Sequence, residues 1–395
     1  MIFQTLDDKN QCFGVYVDGA LYFDPPAHKL TKTWNYSGSL SDKEIDYGFL
    51  YAGGLSLDEV CPNHLKDEWQ KVRKKFVAYR KSFEIAKLNF REHCFFDLVP
   101  HDFLVKLCDI KNQITKHVFE NYEKPKNYEF LEKMQKLLFK IKYQNLNINA
   151  EDSKKLFLST GTRREAKKIL NHPQHIDYNL FGTVTGRLTT RPNSFPILTL
   201  KKELRKLIKP HNDWFLSLDY NGAEVRTLLA LSEQEQPETD IHEWNIHNVF
   251  KKPEIHREEA KSMFFAWLYN PDSDVIKTNY YDRKKILDKY YKGGYIYTVF
   301  GRSIKVDQRR AFNYLIQSTT ADLVLERATI IDAMLEGKKS FISHIVHDEI
   351  VIDFADEERD MVIEIRDTFE QNKLGNFMVN LSAGNDYYDL ERMSL

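Results

Sequence analysis

Two apolar segments, far apart in the sequence, each bring carboxylates to the end of a β-strand. The run WFLSLDY ends abruptly after Asp219, and FISHIVHDEIVIDF places three polar residues, including Asp348 and Glu349, between two β-branched stretches. The second pattern predicts a β-hairpin with acidic residues at its tip. A shared sheet would bring Asp219 and Asp348 together. Adjacent carboxylates without an obvious cysteine or histidine partner favour a hard, oxygen-preferring ion such as Mg²⁺, although strand-end aspartates alone more often form turns.

A second signal is a stripe of four residues at steps of four. Its members are Arg257, Lys261, Phe265 and Tyr269. On a helix predicted to begin near Pro253 they would share one face over about 18 Å. A nucleoside triphosphate could lie along this face, with its phosphates on the two cations and its sugar and base against the rings. The alternative, favoured by spacing alone, is an amphipathic helix with aromatic residues in a core and snorkelling cations.

Composition and charge exclude little beyond disorder and a membrane span. The 395 residues include 57 Lys+Arg and 58 Asp+Glu, giving a net charge of −1, and the length predicts two or three domains. No apolar run approaches the roughly 18 residues of a membrane helix, and the start of the chain does not resemble a secretory signal. We therefore expect a cytoplasmic protein, with four reduced cysteines that lack zinc-site spacing.

The sequence pattern changes along the chain. The first 60 residues favour β-structure, and residues 62–142 favour long, charged helices. Residues 71–90 contain seven basic residues and one acid, a local net charge of +6. This run is either a solvated helix face or a helix that follows nucleic-acid phosphates. Residues 240–300 are predicted to be mostly helical, with a break at residues 270–271.

Taken in chain order, these segments resemble the family A DNA polymerases, the bacterial DNA polymerase I type and its phage relatives. Residues 219–226 (DYNGAEVR) resemble motif A, the stripe fits the motif B pattern R-x3-K-x3-F-x3-Y, and residues 347–349 (HDE) resemble motif C. TGRL at 185–188 and RRAFNYLIQ at 309–317 resemble the primer-template segments of the family. The resemblance extends from about Gly182 to the C-terminus.

The resemblance implies an α+β, right-hand polymerase fold. The palm would be a small antiparallel sheet, the fingers would be helical, and the thumb would be a reduced or divergent helical region. The predicted regions are 1–60 (β-rich N-terminal region), 61–178 (basic, helical, thumb-like), 179–235 (first part of the palm), 236–299 (fingers) and 300–395 (second part of the palm).

Catalytic and metal-binding roles are also implied by the resemblance. Asp219 and Asp348 would hold two Mg²⁺ ions, for which Mn²⁺ could substitute, together with the backbone carbonyl of Tyr220. Glu349 would be a nearby auxiliary acid. Lys261 would be placed to protonate the departing pyrophosphate. Such two-metal sites stabilise both the attacking and the leaving oxygen of a phosphoryl transfer.

Nucleotide and DNA contacts complete the implied site. The two cations of the stripe, Arg257 and Lys261, would grip the triphosphate, with His242 at its β-phosphate. Phe265 would pack on the sugar. Tyr269 would guard the templating base, and Glu224 would be the steric gate against a 2′-hydroxyl. The residues implied to line the primer terminus and its minor groove are Arg187, Arg205, Arg309, Asn313, Gln317 and His347.

The resemblance predicts a DNA polymerase that adds dNTPs to a DNA primer on a DNA template, releases pyrophosphate and lacks 3′–5′ proofreading. The string Asp42-Lys43-Glu44 lies in a polar stretch, and no Tyr-x3-Asp occurs in the first 150 residues, so no exonuclease is expected. A processivity factor or a separate exonuclease are candidate partners. The compact form and the amino-acid usage suggest a phage origin, with the cytoplasm of a bacterial host as the location.

Two alternatives stay open. The first is a single-subunit RNA polymerase, which is disfavoured by Glu224 at the gate position and by Glu349 after the motif C aspartate. The second is a catalytically inactive protein that binds primer-template. It is disfavoured because binding alone does not require the intact set of two aspartates and two cations.

Overall fold

The computed structural model divides the chain into two compact units, Met1–Lys140 and Ile141–Leu395. It describes residues 2–5, 15–17, 19–22, 32–33, 46–47, 57–88, 93, 95–149, 160–273, 275–276 and 278–393. The string at 42–44 lies outside the described residues. Of the helices described, none combines the length and the apolar character that crossing a bilayer requires.

The first unit contains a five-stranded sheet and a helical part. The sheet has the order β3-β2-β1-β4-β5. Its strands are β1 (Ile2–Thr5), β2 (Val15–Val17), β3 (Ala20–Tyr22), β4 (Lys32–Thr33) and β5 (Asp46–Tyr47). The helices are α1 (Leu57–Val60), α2 (Lys66–Ile85), α3 (His101–Asn121) and α4 (Tyr128–Tyr143), the last of which continues into the second unit.

Helix α2 is amphipathic, and its apolar face packs in the core of the first unit. Trp69 and Val72 are buried with Leu104, Leu107 and Ile110 of α3. Phe76, Tyr79 and Phe83 extend the same face and are half-buried against this core. The spacing of three and four residues places these side chains on one stripe, as a helix packed along one side requires. The opposite side of α2 is exposed.

The second unit is built on a five-stranded antiparallel sheet with the order β14-β15-β10-β18-β19. Its strands are β10 (Trp214–Tyr220), β14 (Phe341–Val346), β15 (Glu349–Phe354), β18 (Val379–Gly384) and β19 (Glu391–Arg392). The remaining strands form short pairs and a small three-stranded sheet. They are β6 (Asn147–Ile148), β7 (Tyr178–Asn179), β8 (Thr189–Thr190), β9 (Ile208–Lys209), β11 (Tyr291–Lys292), β12 (Tyr295–Tyr297), β13 (Ser303–Lys305), β16 (Gln371–Asn372) and β17 (Gly375–Asn376).

Strand β10 is the central strand of the sheet, because it is paired on both sides and its apolar side chains are buried on both faces. Phe215, Leu216 and Leu218 are completely buried, which only a strand paired on both sides and covered on both faces allows. Helices cover the sheet and extend beyond it. They are α5 (Thr160–Leu170), α6 (Ala223–Leu231), α7 (Ile241–Asn245), α8 (Arg257–Tyr269), α9 (Arg283–Tyr290), α10 (Gln308–Met334) and α11 (Met361–Glu370). A π-helical turn, Ile246–Phe250, follows α7.

The predicted β-hairpin and antiparallel sheet are confirmed. Strands β14 and β15 are antiparallel neighbours, and His347 and Asp348 form the turn between them. His347 adopts a left-handed conformation with φ of 58°. The predicted break at residues 270–271 is also present, because α8 ends at Tyr269.

Gly222 makes the tight connection between β10 and α6. Its φ is +71°, and a Cβ there would lie 2.5 Å from Ile241 Cγ2. A side chain would therefore be disfavoured both by the backbone conformation and by the lack of space. This connection keeps the end of β10 and the first turn of α6 close together.

A buried ion pair joins the segment before α10 to α10 itself. Arg302 Nε and Nη2 donate to the two carboxylate oxygens of Asp322 over 2.9 and 2.7 Å, and Asp322 is completely buried. Bidentate geometry of this kind fixes orientation as well as charge. The pair holds α10, the longest described helix of the unit, against the β13 segment.

We expect His344, at the centre of β14, to make folding sensitive to acid. The ring is completely buried between Tyr387 and Phe215, which lowers its pKa to about 3. An unfolded histidine takes up its proton near pH 6.5, so stability is lost as the pH falls from about 6.5 towards 3, by about 2 kcal/mol between pH 7 and pH 5. Urea unfolding of wild type and His344→Leu at both pH values measures this. The same pH dependence in both proteins would contradict it.

Candidate active site

A cleft of about 480 Å³ lies in the second unit, where β10, the β14–β15 turn and the helices α6, α7, α8 and α10 meet. Eleven of the residues singled out in the sequence line it. They are Arg187, Asp219, Tyr220, Glu224, His242, Arg257, Lys261, Phe265, Tyr269, His347 and Asp348. Segments that lie far apart in the sequence of the second unit therefore line the same cleft.

The two aspartates form the floor of this cleft. The register places Asp219 opposite Glu349 on one side and Asn380 on the other, so Asp348 follows directly in the adjoining turn. Burial and the negative charge of Asp348 raise the pKa of Asp219 to about 7. Burial also raises the pKa of Asp348. The ionised form of both carboxylates is therefore disfavoured, and a cation bound between them would stabilise it.

The donor set fits a hard divalent cation. Within the described residues no group of three or more His, Cys, Asp or Glu side chains forms a ready-made metal site. Asp219 and Asp348 offer carboxylate oxygens only, which Mg²⁺ prefers, and Mg²⁺ commonly takes one or two protein carboxylates and completes its shell with substrate phosphates and water. Two carboxylates at an open cleft are therefore sufficient.

Glu349 is held away from the cleft by two hydrogen bonds. Ser217 Oγ donates to one carboxylate oxygen over 2.6 Å, and the Tyr387 hydroxyl donates to the other over 2.8 Å. It does not line the cleft. These contacts fix Glu349 beside Asp219 on the sheet and tie the C-terminal segment to the floor of the site.

Helix α8 presents the cation–aromatic stripe to the cleft. It begins at Arg257, so the start predicted near Pro253 is wrong, and the turn before it is non-helical. Phe265 and Tyr269 stack on each other with centroids 5.9 Å apart, and Tyr269 is 44% exposed. The fully buried core side of the helix consists of other residues, Phe264 and Trp267 among them, while Phe265 is half-buried against the same core. The stripe is therefore not the buried face of an amphipathic helix.

Asp240 connects α8 to the strand that carries Asp219. Its Oδ2 accepts hydrogen bonds from Arg257 Nη2 over 2.9 Å and from Asn221 Nδ2 over 2.7 Å, while Oδ1 caps α7. Burial opposes ionisation, but the bonds from Arg257 and Asn221 outweigh it and lower the pKa of Asp240 well below its ordinary value. In turn, Asp240 raises the pKa of Arg257.

The network continues into a fully buried arginine. Arg226 donates to the backbone oxygens of Asn221, Pro237 and Thr239 over 2.8 to 2.9 Å. Burial lowers its pKa to about 10, so it remains charged at neutral pH. The roles of Asp240, Asn221 and Arg226 were missed in the sequence. For Asp240 the sequence does contain a signal, the capping pattern of an aspartate directly before a helix with an acid, Glu243, in its first turn.

Glu224 joins two parts of the cleft wall. One carboxylate oxygen accepts a short hydrogen bond from Arg187 Nη2, and the other accepts from the Tyr269 hydroxyl over 2.6 Å. Burial and the bond to Glu224 raise the pKa of Tyr269 to about 12, so this hydroxyl stays a donor. Glu224 therefore has a fixed position above the floor of the site.

Four residues predicted to contact DNA lie outside the cleft lining. Arg205 lies over the Tyr387 ring at 4.6 Å, and Arg309 pairs with Asp272 at 2.5 Å on an exposed surface. Asn313 keeps a buried Oδ1 without a hydrogen-bond partner. Gln317 forms a hydrogen bond that lowers the pKa of Tyr269, against the larger effects that raise it. Their contact with DNA stays a prediction.

Replacing Asp240 should destabilise the fold more than loss of a helix cap alone. Asp240→Ala removes the cap together with the bonds to Arg257 and Asn221, for an expected loss of about 2–3 kcal/mol. Asp282 is a matched control, because it caps α9 through one bond to the Lys285 amide, and Asp282→Ala should cost about 1 kcal/mol. Denaturant unfolding compares the two. Equal losses would show that the network adds nothing to the cap.

Comparisons with known proteins agree with the sequence motifs. No family model matches the chain. Over 251 residues it is 27% identical to the thermostable DNA polymerase I of Thermus aquaticus, covering 50% of this chain and 30% of that protein. Over 272 residues it is 26% identical to DNA polymerase I of Caldicellulosiruptor bescii, covering 54% and 32%. The chain thus spans about a third of the length of these curated relatives.

The fold is also that of a known polymerase domain. The POL domain of Pol1 from M. smegmatis, solved in complex with DNA primer-template and dNTP, superposes with a TM-score of 0.54 at 15% identity. The match covers 73% of this chain and 76% of that domain. The α+β polymerase fold is therefore confirmed, and about half of the chain is similar in sequence to bacterial DNA polymerase I.

Proposed function

We propose that this chain is a DNA-directed DNA polymerase that extends a primer with dNTPs and releases pyrophosphate. The observation that supports this most strongly is the cleft itself. It brings together two half-buried carboxylates, Asp219 and Asp348, and a helix face of two cations and two aromatic rings. Phosphoryl transfer asks a protein mainly for positioning and for neutralisation of charge, and these groups supply both.

The carboxylates would form the reaction centre. Asp219 and Asp348, with the backbone carbonyl of Tyr220, would hold two Mg²⁺ ions, and Mn²⁺ could substitute. Bound there, the ions would stabilise the attacking 3′-oxygen and the leaving oxygen. The Tyr220 side chain is anchored elsewhere, because its ring stacks on Phe369 with centroids 4.0 Å apart. This anchoring leaves only its backbone for the site. Glu349 would support Asp219 from the adjoining strand.

The α8 stripe would bind the incoming nucleotide. Arg257 and Lys261 would contact the triphosphate, and Lys261 would give a proton to the departing pyrophosphate. Burial lowers the pKa of His242 to about 4, so at neutral pH it would donate a hydrogen bond to the β-phosphate without adding charge. Phe265 would pack on the sugar and Tyr269 beside the templating base.

Glu224 would select deoxyribose. Its carboxylate is fixed from two sides by Arg187 and Tyr269, so it would not swing aside to admit a 2′-hydroxyl. A rigid obstacle discriminates better than a flexible one, because displacing it would cost two charge-assisted contacts.

The DNA would contact residues around the cleft. We propose primer-terminus and minor-groove contacts for Arg187, Arg205, Arg309, Asn313, Gln317 and His347. The minor groove offers acceptors common to all base pairs, which suits an enzyme that must not select sequence. Residues 179–235 and 300–395 would form the palm, 236–299 the fingers, and 61–178 a thumb-like region, with 1–60 as a β-rich N-terminal region. Phage origin, a bacterial cytoplasmic location and a processivity factor or separate exonuclease as partners stay proposals.

Primer extension tests the proposed chemistry. With Mg²⁺ and dNTPs the wild type should extend a primer, and a chelator should stop it. Asp348→Ala should lower the rate by about 10³-fold or more, because one of the two metal-binding carboxylates is lost. The matched control is Asp360→Ala, an exposed aspartate before α11 that makes no capping bond, and it should extend normally.

Other outcomes would support the alternatives. Preference for rNTPs would indicate an RNA polymerase, and primer-template binding without extension would indicate an inactive binding protein. We also propose that the chain lacks a 3′–5′ exonuclease. Digestion of single strands that survives Asp348→Ala would contradict that.

The gate assignment predicts a specific change in sugar selectivity. Glu224→Ala should raise rNTP incorporation relative to dNTP by about 10- to 200-fold, the range expected when a steric contact is removed. Glu224→Gln keeps the volume and should retain most of the selectivity. Single-nucleotide kcat/KM values for dNTP and rNTP measure this. If both variants keep wild-type selectivity, another residue forms the gate.

A further inference from the structure

In the described part of the first unit, the most basic stretch lies on α2. Residues 69–83 contain six basic side chains and no acidic one, although the whole chain has a net charge of only −1. All six are exposed. They are Lys71, Arg73, Lys74, Lys75, Arg80 and Lys81. Helix α2 as a whole also contains Lys66 and three acids, so its net charge is +4, and the positive charge is concentrated in residues 69–83.

The fold fixes which way these charges face. Trp69, Val72 and Phe76 pack towards α3, so the side of α2 opposite them faces solvent. Lys74 and Lys81 lie almost directly opposite that stripe at 100° per residue, with Lys71 beside them. Lys71 and Lys81 are separated by about 15 Å along the axis. Ala78, which is short and exposed, lies between Lys74 and Lys81 and allows a flat surface to approach closely.

This charge is only partly neutralised within the chain. Arg73 pairs with Asp58 at 2.8 Å, and Arg80 lies over the Phe76 ring at 5.9 Å. In the part of the chain that is described, Lys71, Lys74, Lys75 and Lys81 form no ion pair. Like charges three or four positions apart destabilise a helix. A binding partner that carries regularly spaced negative charge would remove this repulsion.

We propose that the outer face of α2 binds the phosphate backbone of duplex DNA without regard to sequence. The choice of DNA rests on the proposed function, since that activity requires the chain to hold a primer-template. The uniform, closely spaced negative charge of a duplex backbone matches a row of lysines along one side of a helix. Val77 and Ile85 are exposed beside them, but two scattered aliphatic residues do not form the continuous apolar face that membrane insertion requires.

Binding of the full chain to a labelled duplex tests this, measured by fluorescence anisotropy from 50 to 300 mM salt. The test variant is Lys71→Glu/Lys74→Glu/Lys81→Glu, with Lys→Gln at the same positions as a milder version. The control, Lys106→Glu/Lys126→Glu/Lys133→Glu, changes the same net charge at exposed lysines elsewhere in the first unit. Thermal unfolding checks that every variant is folded.

We expect the test variant to bind about tenfold or more weakly near 100 mM salt, with a log–log salt slope shallower by about 2 to 3. The glutamine variant should show a smaller loss of the same kind, and the control should bind like wild type. Equal affinity and slope in the test variant, or equal loss in the control, would overturn the inference. So would wild-type binding to phosphatidylserine vesicles that the test variant loses while DNA binding is unchanged.

The same experiment separates this inference from the proposed function. Binding requires no turnover, so the duplex-binding measurements are repeated with the α2 and control variants in the Asp348→Ala background, where extension is not expected. If the wild type fails to extend primers but the α2 variant loses duplex affinity, the polymerase activity is refuted and the α2 surface is supported. A chain that extends primers while the α2 variant binds normally would refute the surface alone.

Discussion

The antiparallel pairing of β10 with β15 is the constraint on which the rest of the site depends. The register places Asp219 opposite Glu349, and so brings Asp348 into the turn beside it. Because the strands are buried, the two carboxylates meet where water cannot fully solvate them, and their pKa values rise. A slip of one residue would turn Asp219 to the other face of the sheet and dismantle the centre.

The second constraint is the charge network that runs from α8 to the turn after β10. Arg257 would be a mobile cation on an exposed helix end without Asp240. Through Asp240 and Asn221 it is connected to the buried Arg226, which is bonded to three backbone oxygens. Arg257, one of the two cations of the stripe, is thus held in place by contacts within the protein itself. Preorganised charge of this kind is what phosphoryl transfer requires of a protein.

The sequence predicted the fold and much of the site, because these signals are local or motif-based. The runs around Asp219 and Asp348 have the period and the β-branched residues of strands, and the four-residue stripe has the period of a helix. The start of α8 was placed too early. Residues 253–256 have no periodic pattern that would show whether they are helical. Helix ends are decided by capping and by packing on neighbouring elements.

The amino-acid sequence by itself determined the strand and helix types, the acidic hairpin tip and the order of the motifs, since these depend on side-chain period and turn chemistry. Only the tertiary structure decided which aromatic residues of α8 face the cleft and which, like Phe264, lie in the core. It also decided that Glu349 accepts hydrogen bonds from Ser217 and Tyr387. Likewise, only the tertiary structure places Arg187 and Tyr269 where both donate to Glu224. These contacts join residues distant in the chain, and no local pattern encodes a distance between them.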